Sequence, residues 1–245
     1  MTQYRATGRV RPRRKRPLEV YPNCSRPPYI TFDEAVPIKP QCHFIFLWMP
    51  KVAGTSINAA IKHHFGHTYL SLENAPKRWN PQLKGVTFYH SHVPALVEKG
   101  HVSSEWMDSA FKFAFVRNPW DRMVSLYHWL KWEKKMGFPE FIQNVATGNY
   151  HRPGVMNLRG FYQANRLVDW LRPNGIWLPQ FIGRFENLQE DWKIVMKILG
   201  CKCGLKKRNT SNHTHYRDYY DATTRALVAK RFEEDIDLFK YTFEA

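Results

Sequence analysis

The feature that most constrains the fold is the apolar run His43-Phe44-Ile45-Phe46-Leu47-Trp48, which stops abruptly at Met49-Pro50. Apolar side chains at consecutive positions leave no polar face for water. That is the pattern of a strand covered on both faces in a parallel sheet. Met49-Pro50-Lys51-Val52-Ala53-Gly54 breaks the run, and Thr55-Ser56-Ile57-Asn58-Ala59-Ala60-Ile61 follows with helical spacing, Ile57 and Ile61 sharing one face. Segments 86–89, 111–116 and 181–185 read as further strands. Between and after them come helical patterns. Asn118 caps a helix with Pro119 at its first position and Met123, Leu126, Tyr127 and Leu130 on its buried side. Others are expected around 138–146 and 161–171 and, from an Asn187/Glu190 capping signature, through Leu199 to Gly200. A last helix over 221–239 places Val228, Phe232, Ile236 and Phe239 on one face. Strands alternating with helices predict an α/β fold, a central parallel β-sheet flanked by helices.

A chain of 245 residues with 43% apolar and 15% aromatic content can fill such a core without disulfide or metal staples. The four cysteines, Cys24, Cys42, Cys201 and Cys203, lack the paired spacing of a zinc site, so no metal is expected. No run of about 18 apolar residues occurs, and no apolar stretch follows the basic start. A cytoplasmic or otherwise soluble location is the expectation, without a membrane span.

The formal net charge is +16, and residues 1–30 carry eight basic side chains against one acid. Arg9, Arg11, Arg13, Arg14, Lys15 and Arg16, broken by Pro12 and Pro17, cannot bury enough apolar surface to order themselves. Residues 1–36 therefore read as a basic, proline-rich arm and 37–245 as one domain. The excess charge on the folded part points to an anionic substrate or cofactor.

The turn after the first strand suits that charge. Backbone N–H groups at a helix start face an anion and the helix dipole adds positive potential. Gly54 permits close approach, Thr55 and Ser56 add hydroxyls, and Lys51 supplies a mobile charge. The lysine precedes the glycine, so this is not a Walker loop. Alone, it reads equally as an ordinary strand–helix turn with a solvated lysine. A second element weighs against that. Phe115-Val116-Arg117-Asn118-Pro119-Trp120-Asp121-Arg122-Met123-Val124-Ser125-Leu126-Tyr127 puts an arginine at the end of a strand and a serine on the next helix. Arg117 can grip a phosphate through two parallel bonds, and Ser125 can add a third. Two such grips at one sheet edge imply a ligand phosphorylated at two separated positions.

Met49–Ser56 resembles the 5′-phosphosulfate loop of the sulfotransferases, and Phe115–Tyr127 resembles their 3′-phosphate motif. The version is that of the carbohydrate-type family containing the heparan sulfate 2-O-sulfotransferases (sulfotransferase family 2). Ile182-Gly183-Arg184-Phe185-Glu186-Asn187-Leu188 and Ser211-x-His213-x-x-Tyr216-x-x-Tyr219-Tyr220 are similar to its later segments, so the likeness spans 43–243. The resemblance implies a P-loop-like sheet and transfer from 3′-phosphoadenosine 5′-phosphosulfate (PAPS), with the bisphosphate PAP as product and no metal. It implies that Pro50, Lys51, Val52, Ala53, Gly54, Thr55 and Ser56 hold the 5′ end, Lys51 at the bridging oxygen. Arg117 and Ser125 would hold the 3′-phosphate.

A hydroxyl acceptor needs a base, and a neutral imidazole suits the task near pH 7. Tyr89-His90-Ser91-His92-Val93 resembles the Tyr-His-Gly-His-Val segment of the 2-O-sulfotransferases, whose second histidine is regarded as the base. It points to His92, with His90 as its assistant or substitute. Trp106, Trp129, Trp132, Trp170 and Trp177 could stack on sugars, though core is the expectation for at least three. Lys131, Lys134, Lys135, Arg152 and Arg159 could line a cleft for an anionic glycan, or form a solvated face. Glu186 reads as structural. Two other readings stand beside sulfuryl transfer. A small-molecule kinase would want a Walker lysine and an acidic magnesium ligand. A non-enzymatic polyanion binder explains the arm but not the paired grips. No specific nucleic-acid partner is expected, and the sequence does not set the oligomeric state.

Overall fold

The apolar run becomes the central strand of a parallel sheet. The structure, a computed structural model, describes residues 43–66, 68–70, 75–78, 80–82, 84–89, 102–148, 162–206 and 213–244. The arm at 1–36 lies outside them, as do His90, His92, Arg152 and Arg159. Five strands, β1 (Phe44–Trp48), β2 (Thr68–Leu70), β3 (Gly85–Tyr89), β4 (Phe111–Val116) and β5 (Phe181–Arg184), lie in the order β2-β3-β1-β4-β5. Every neighbouring pair is parallel. Phe44 registers against Gly85 on one side and Phe111 on the other. Phe44, Ile45, Phe46 and Leu47 are at most 1% exposed, as a strand sandwiched between helical layers requires.

The helices are α1 (Gly54–Phe65), α2 (Ala75–Arg78), α3 (Ser104–Ser109), α4 (Pro119–Trp129), α5 (Phe138–Thr147), α6 (Leu167–Leu171), α7 (Leu188–Ile198), α8 (Ala222–Arg231) and α9 (Glu233–Phe239). Ile57 and Ile61 bury the inner face of α1 against the sheet. A second core forms where α4, α5 and α8 meet, through Met123, Val124, Phe138, Phe141, Val228 and Phe232.

Helix α4 starts as its sequence predicts. Asn118 Oδ1 accepts from Trp120 N at 3.0 Å, and Pro119 occupies a position needing no N–H donor. Asn118 also donates its backbone N–H to Glu186 Oε1 at 2.6 Å and its side-chain amide to Thr242 O at 2.9 Å. Tyr241 donates to the other oxygen of Glu186 at 3.1 Å. Glu186 is thus structural, joining β5, α4 and the C-terminal segment.

Several expectations need correction. Strand β2 and helices α2 and α3 were not expected. With three to six residues each, they are too short to display a period. The helical fragments expected around 161–171 are a 3₁₀ turn at Tyr162–Ala164 followed by α6. The helix expected over 221–239 breaks at Phe232, whose backbone (φ −112°, ψ 23°) is not helical. Asn187 does not cap α7 through its side chain. Its Nδ2 donates instead to Asp191 Oδ1 at 2.9 Å.

Helix α6 takes its cap from far along the chain. Both oxygens of Asp235, on α9, accept from the opening N–H groups at Leu167 (2.8 Å) and Val168 (2.9 Å). Asp235 also lies 3.9 Å from the guanidinium of Arg122, which is fully buried and donates to Gln163 O and Asn165 O. Burial lowers the Arg122 pKa to about 10, with Asp235 opposing the shift, so the group stays charged at neutral pH. Removing the carboxylate would strand a buried cation and two helix-start donors. Asp235→Ala is expected to cost about 3–5 kcal/mol in urea unfolding. An unchanged midpoint would show that the pair does not hold α4, α6 and α9 together.

Candidate active site

The strand order fixes where a ligand can sit. From β1 the chain builds one way through β2 and β3, then crosses to β4 and β5 on the other side. The loops after β1 and β4 therefore diverge, and a crevice opens between them at the carboxyl edge of the sheet. Lys51 stands on one lip and Arg117 on the other.

The β1–α1 turn is wound tightly. Lys51 (φ 64°) and Ala53 (φ 65°) both adopt the left-handed conformation that non-glycine residues seldom take. Backbone in such a turn aims N–H groups into a concavity that fits an anion. Ala53 O receives the first intrahelical bonds, from Ser56 N at 2.9 Å and Ile57 N at 3.1 Å. The N–H groups at Gly54 and Thr55, at the helix start, have no acceptor within the helix. Val52 is buried and anchors the turn, Ser56 is buried and Thr55 is exposed. Packing also requires a glycine at position 54. A Cβ there would lie 1.9 Å from Nε1 of Trp48, so the indole occupies the space a side chain would need.

Arg117 ties the two lips together. Its Nε and Nη2 donate to Asp121 Oδ2 (2.7 Å) and Oδ1 (2.8 Å), and Nη1 donates to the carbonyl of Lys51 at 3.1 Å. The guanidinium lies 3.8 Å from the centroid of the Phe185 ring and is 7% exposed. The parallel-bond edge is thus taken by Asp121, and only the rest of the fork remains for a ligand. Asp121, in the first turn of α4, is the partner of Arg117.

Lys51 is different. Among the described residues its Nζ has neither a hydrogen-bond partner nor a carboxylate, and it stands 4.3 Å from the centroid of Trp129. Burial, and then the nearby Arg117 charge, lowers its pKa to about 8. Asp121 neutralises Arg117, whereas nothing described here neutralises Lys51. The crevice therefore carries an unmatched positive charge.

Ser125 lies one helical turn beyond Asp121 on the same side of α4. It is 4% exposed, and among the described residues its hydroxyl has no partner. Strand β3 ends at Tyr89 in register with Trp48, so the chain leaves it at the same edge as the Lys51 turn. His90 and His92 come next and lie outside the described residues. Of the five tryptophans singled out, Trp106, Trp132 and Trp170 are buried, while Trp129 is 53% exposed. No group of His, Cys, Asp and Glu able to hold a metal occurs among the described residues. No helix among them is long and apolar enough to cross a membrane.

This arrangement matches known proteins. Residues 35–242 fit the pattern of the Sulfotransferase family. The chain belongs to that family. An uncharacterized protein of Archaeoglobus fulgidus is 30% identical over 131 residues, covering 51% of this sulfotransferase and 98% of the relative. Mouse sulfotransferase SULT7A1, solved in complex with PAP, superimposes with a TM-score of 0.50 at 12% identity, over 82% of this chain and 89% of that one. A sulfotransferase from Alicyclobacillus acidocaldarius gives a TM-score of 0.47 at 16% identity, over 81% and 94%. The family establishes sulfuryl transfer as the reaction class, and the mouse enzyme shares the fold.

The contact between Gly54 and Trp48 can be tested directly. Gly54→Ala should displace the indole or the turn, lowering stability by about 1–3 kcal/mol as overpacked sites do. Equal thermal stability of variant and parent would contradict this packing.

Proposed function

We propose that the sulfotransferase carries the sulfuryl group of PAPS to a hydroxyl, that of a carbohydrate, in the crevice between β1 and β4. The observation that carries the reading is Lys51, a half-buried ammonium with no described counter-charge, next to the strapped cation Arg117 at the switch point of the sheet. An anion is the missing partner. When bound, PAPS supplies the sulfuryl group and leaves as PAP.

Residues Pro50, Lys51, Val52, Ala53, Gly54, Thr55 and Ser56 would hold the 5′ end through backbone N–H groups and two hydroxyls. The uncommitted part of the Arg117 fork and the Ser125 hydroxyl, which has no partner among the described residues, suit the 3′-phosphate. Lys51 would oppose the negative charge that gathers on the departing bridging oxygen, where a positioned cation lowers the barrier. The acceptor's proton is assigned to the imidazole of His92, with His90 as its substitute. Trp129 offers an exposed ring beside Lys51, of the kind that packs on a sugar face. The net charge of +16 favours an anionic glycan.

Thermal-shift measurements test the donor. Adenosine 3′,5′-bisphosphate without metal should stabilise the protein, and ATP with magnesium should do so far less. The reverse order would favour the kinase reading, and stabilisation by heparin alone the polyanion reading. Lys51→Ala should lower turnover by orders of magnitude while the fold persists, and near-normal turnover would remove Lys51 from the reaction.

The lowered Lys51 pKa gives a pH signature. Lys51 is charged below about 8 and loses its proton above it, so kcat/KM for PAPS should fall as pH rises through about 8. A profile flat to about pH 10, the range of an ordinary lysine, would contradict this assignment.

A further inference from the structure

The face of α4 that carries Asp121 and Ser125 continues to His128, one turn past Ser125. The His128 ring stacks on that of His213, with centroids 5.2 Å apart and planes 12° from parallel. His128 Nε2 lies 2.9 Å from the hydroxyl of Tyr219, and Nδ1 lies 3.9 Å from Glu133 Oε2. Tyr127, on α4 itself, meets the ring edge-on at 5.3 Å. His213 Nδ1 lies 2.7 Å from the carbonyl of Thr214. A carbonyl only accepts, so that nitrogen is the donor and carries a proton.

The stacking disfavours charging both rings at once. Two imidazolium rings stacked at this distance would repel, so charging one suppresses the other. The Tyr219 hydroxyl can donate to neutral His128 or accept from its protonated form, and Glu133 faces the second N–H. Burial, and then His213, lowers the His128 pKa below its ordinary 6.5, with Glu133 opposing. His128 is therefore biased toward its neutral form in the free protein, and an added anion would shift the balance.

We propose that the His128–His213 stack is a proton-accepting wall of the nucleotide site, taking one proton from solvent when a phosphate dianion settles on Ser125. The inference rests on the reading that Ser125 contacts the 3′-phosphate. No bond is made or broken beyond the N–H formed on the imidazole. The charge gained acts on the phosphate across one helical turn, while Lys51 serves the other end of the donor. His128 is in this sense a positioning residue. It tightens binding as pH falls, whereas Lys51 loosens binding as pH rises.

Calorimetry of the full chain with adenosine 3′,5′-bisphosphate, in two buffers of different ionisation heat, reads the proton directly. Wild type should take up about one proton more than His128→Gln near pH 7, and the ligand's own titration cancels in that difference. The ratio of wild-type to variant affinity should rise as pH falls, by about tenfold per pH unit around pH 7. With adenosine 5′-monophosphate, which lacks the 3′-phosphate, the two proteins should not differ. His213→Gln serves as a second variant if His128→Gln does not fold. Equal proton uptake and parallel pH profiles, with the bisphosphate bound to both, would overturn the proposal but leave the donor reading intact. Failure of wild type to bind the bisphosphate at all would overturn both.

Discussion

The guanidinium of Arg117 is the contact on which the site depends. It leaves the end of β4, locks both oxygens of Asp121 in the first turn of α4 and reaches across to the Lys51 carbonyl. A parallel sheet alone would leave the loops after β1 and β4 free to spread, because strand order sends them apart. The guanidinium cross-links them, with its charge cancelled on one edge and its flat face covered by Phe185. A left-handed Lys51 backbone is costly by itself. Its carbonyl held from the opposite lip helps to explain why that conformation persists here.

The result is a division of labour between two cations of similar placement. Arg117 is nearly buried and its charge is matched, so it contributes rigidity and a fixed residue of donors. Lys51 is half-buried and, among the described residues, unmatched, which makes it the charge that an incoming anion could satisfy. A guanidinium suits the first task because its planar fork engages several acceptors at once, and a flexible ammonium suits the second. The sulfotransferase family to which the chain belongs performs chemistry in which charge moves onto a leaving oxygen. A movable cation is the more useful there.

Much of the frame was legible in the sequence because its signals are strong and local. The consecutive apolar side chains of β1 and β4, the Asn118-Pro119 start of α4 and the Ile57/Ile61 face of α1 need only neighbouring residues to be read. What escaped depends on distant partners or on length. Strand β2 has three residues and exists because β3 offers it an edge. Asn187 looked like a cap, but Asp191 claims its amide. The bend at Phe232 separates α8, packed on α5, from α9, which delivers Asp235 to α6. In the site, Lys51, Arg117 and Ser125 could be named from sequence, but not that Asp121 takes the fork of Arg117. Nor was there any sign that the Trp48 indole fills the space beside Gly54. His128 lay unnoticed within a helical pattern, because its partner His213 is a long way off in sequence.

The side-chain amide of Asn118 reaches Thr242, a partner 124 positions downstream. Helix α4, which bears one lip of the crevice, is thus seated by a contact remote in sequence, beside the Glu186 carboxylate that accepts from both Asn118 N–H and the Tyr241 hydroxyl. A substitution around 241–243, distant from Lys51 along the chain, therefore bears on the start of α4 and on the Arg117–Asp121 clasp next to it.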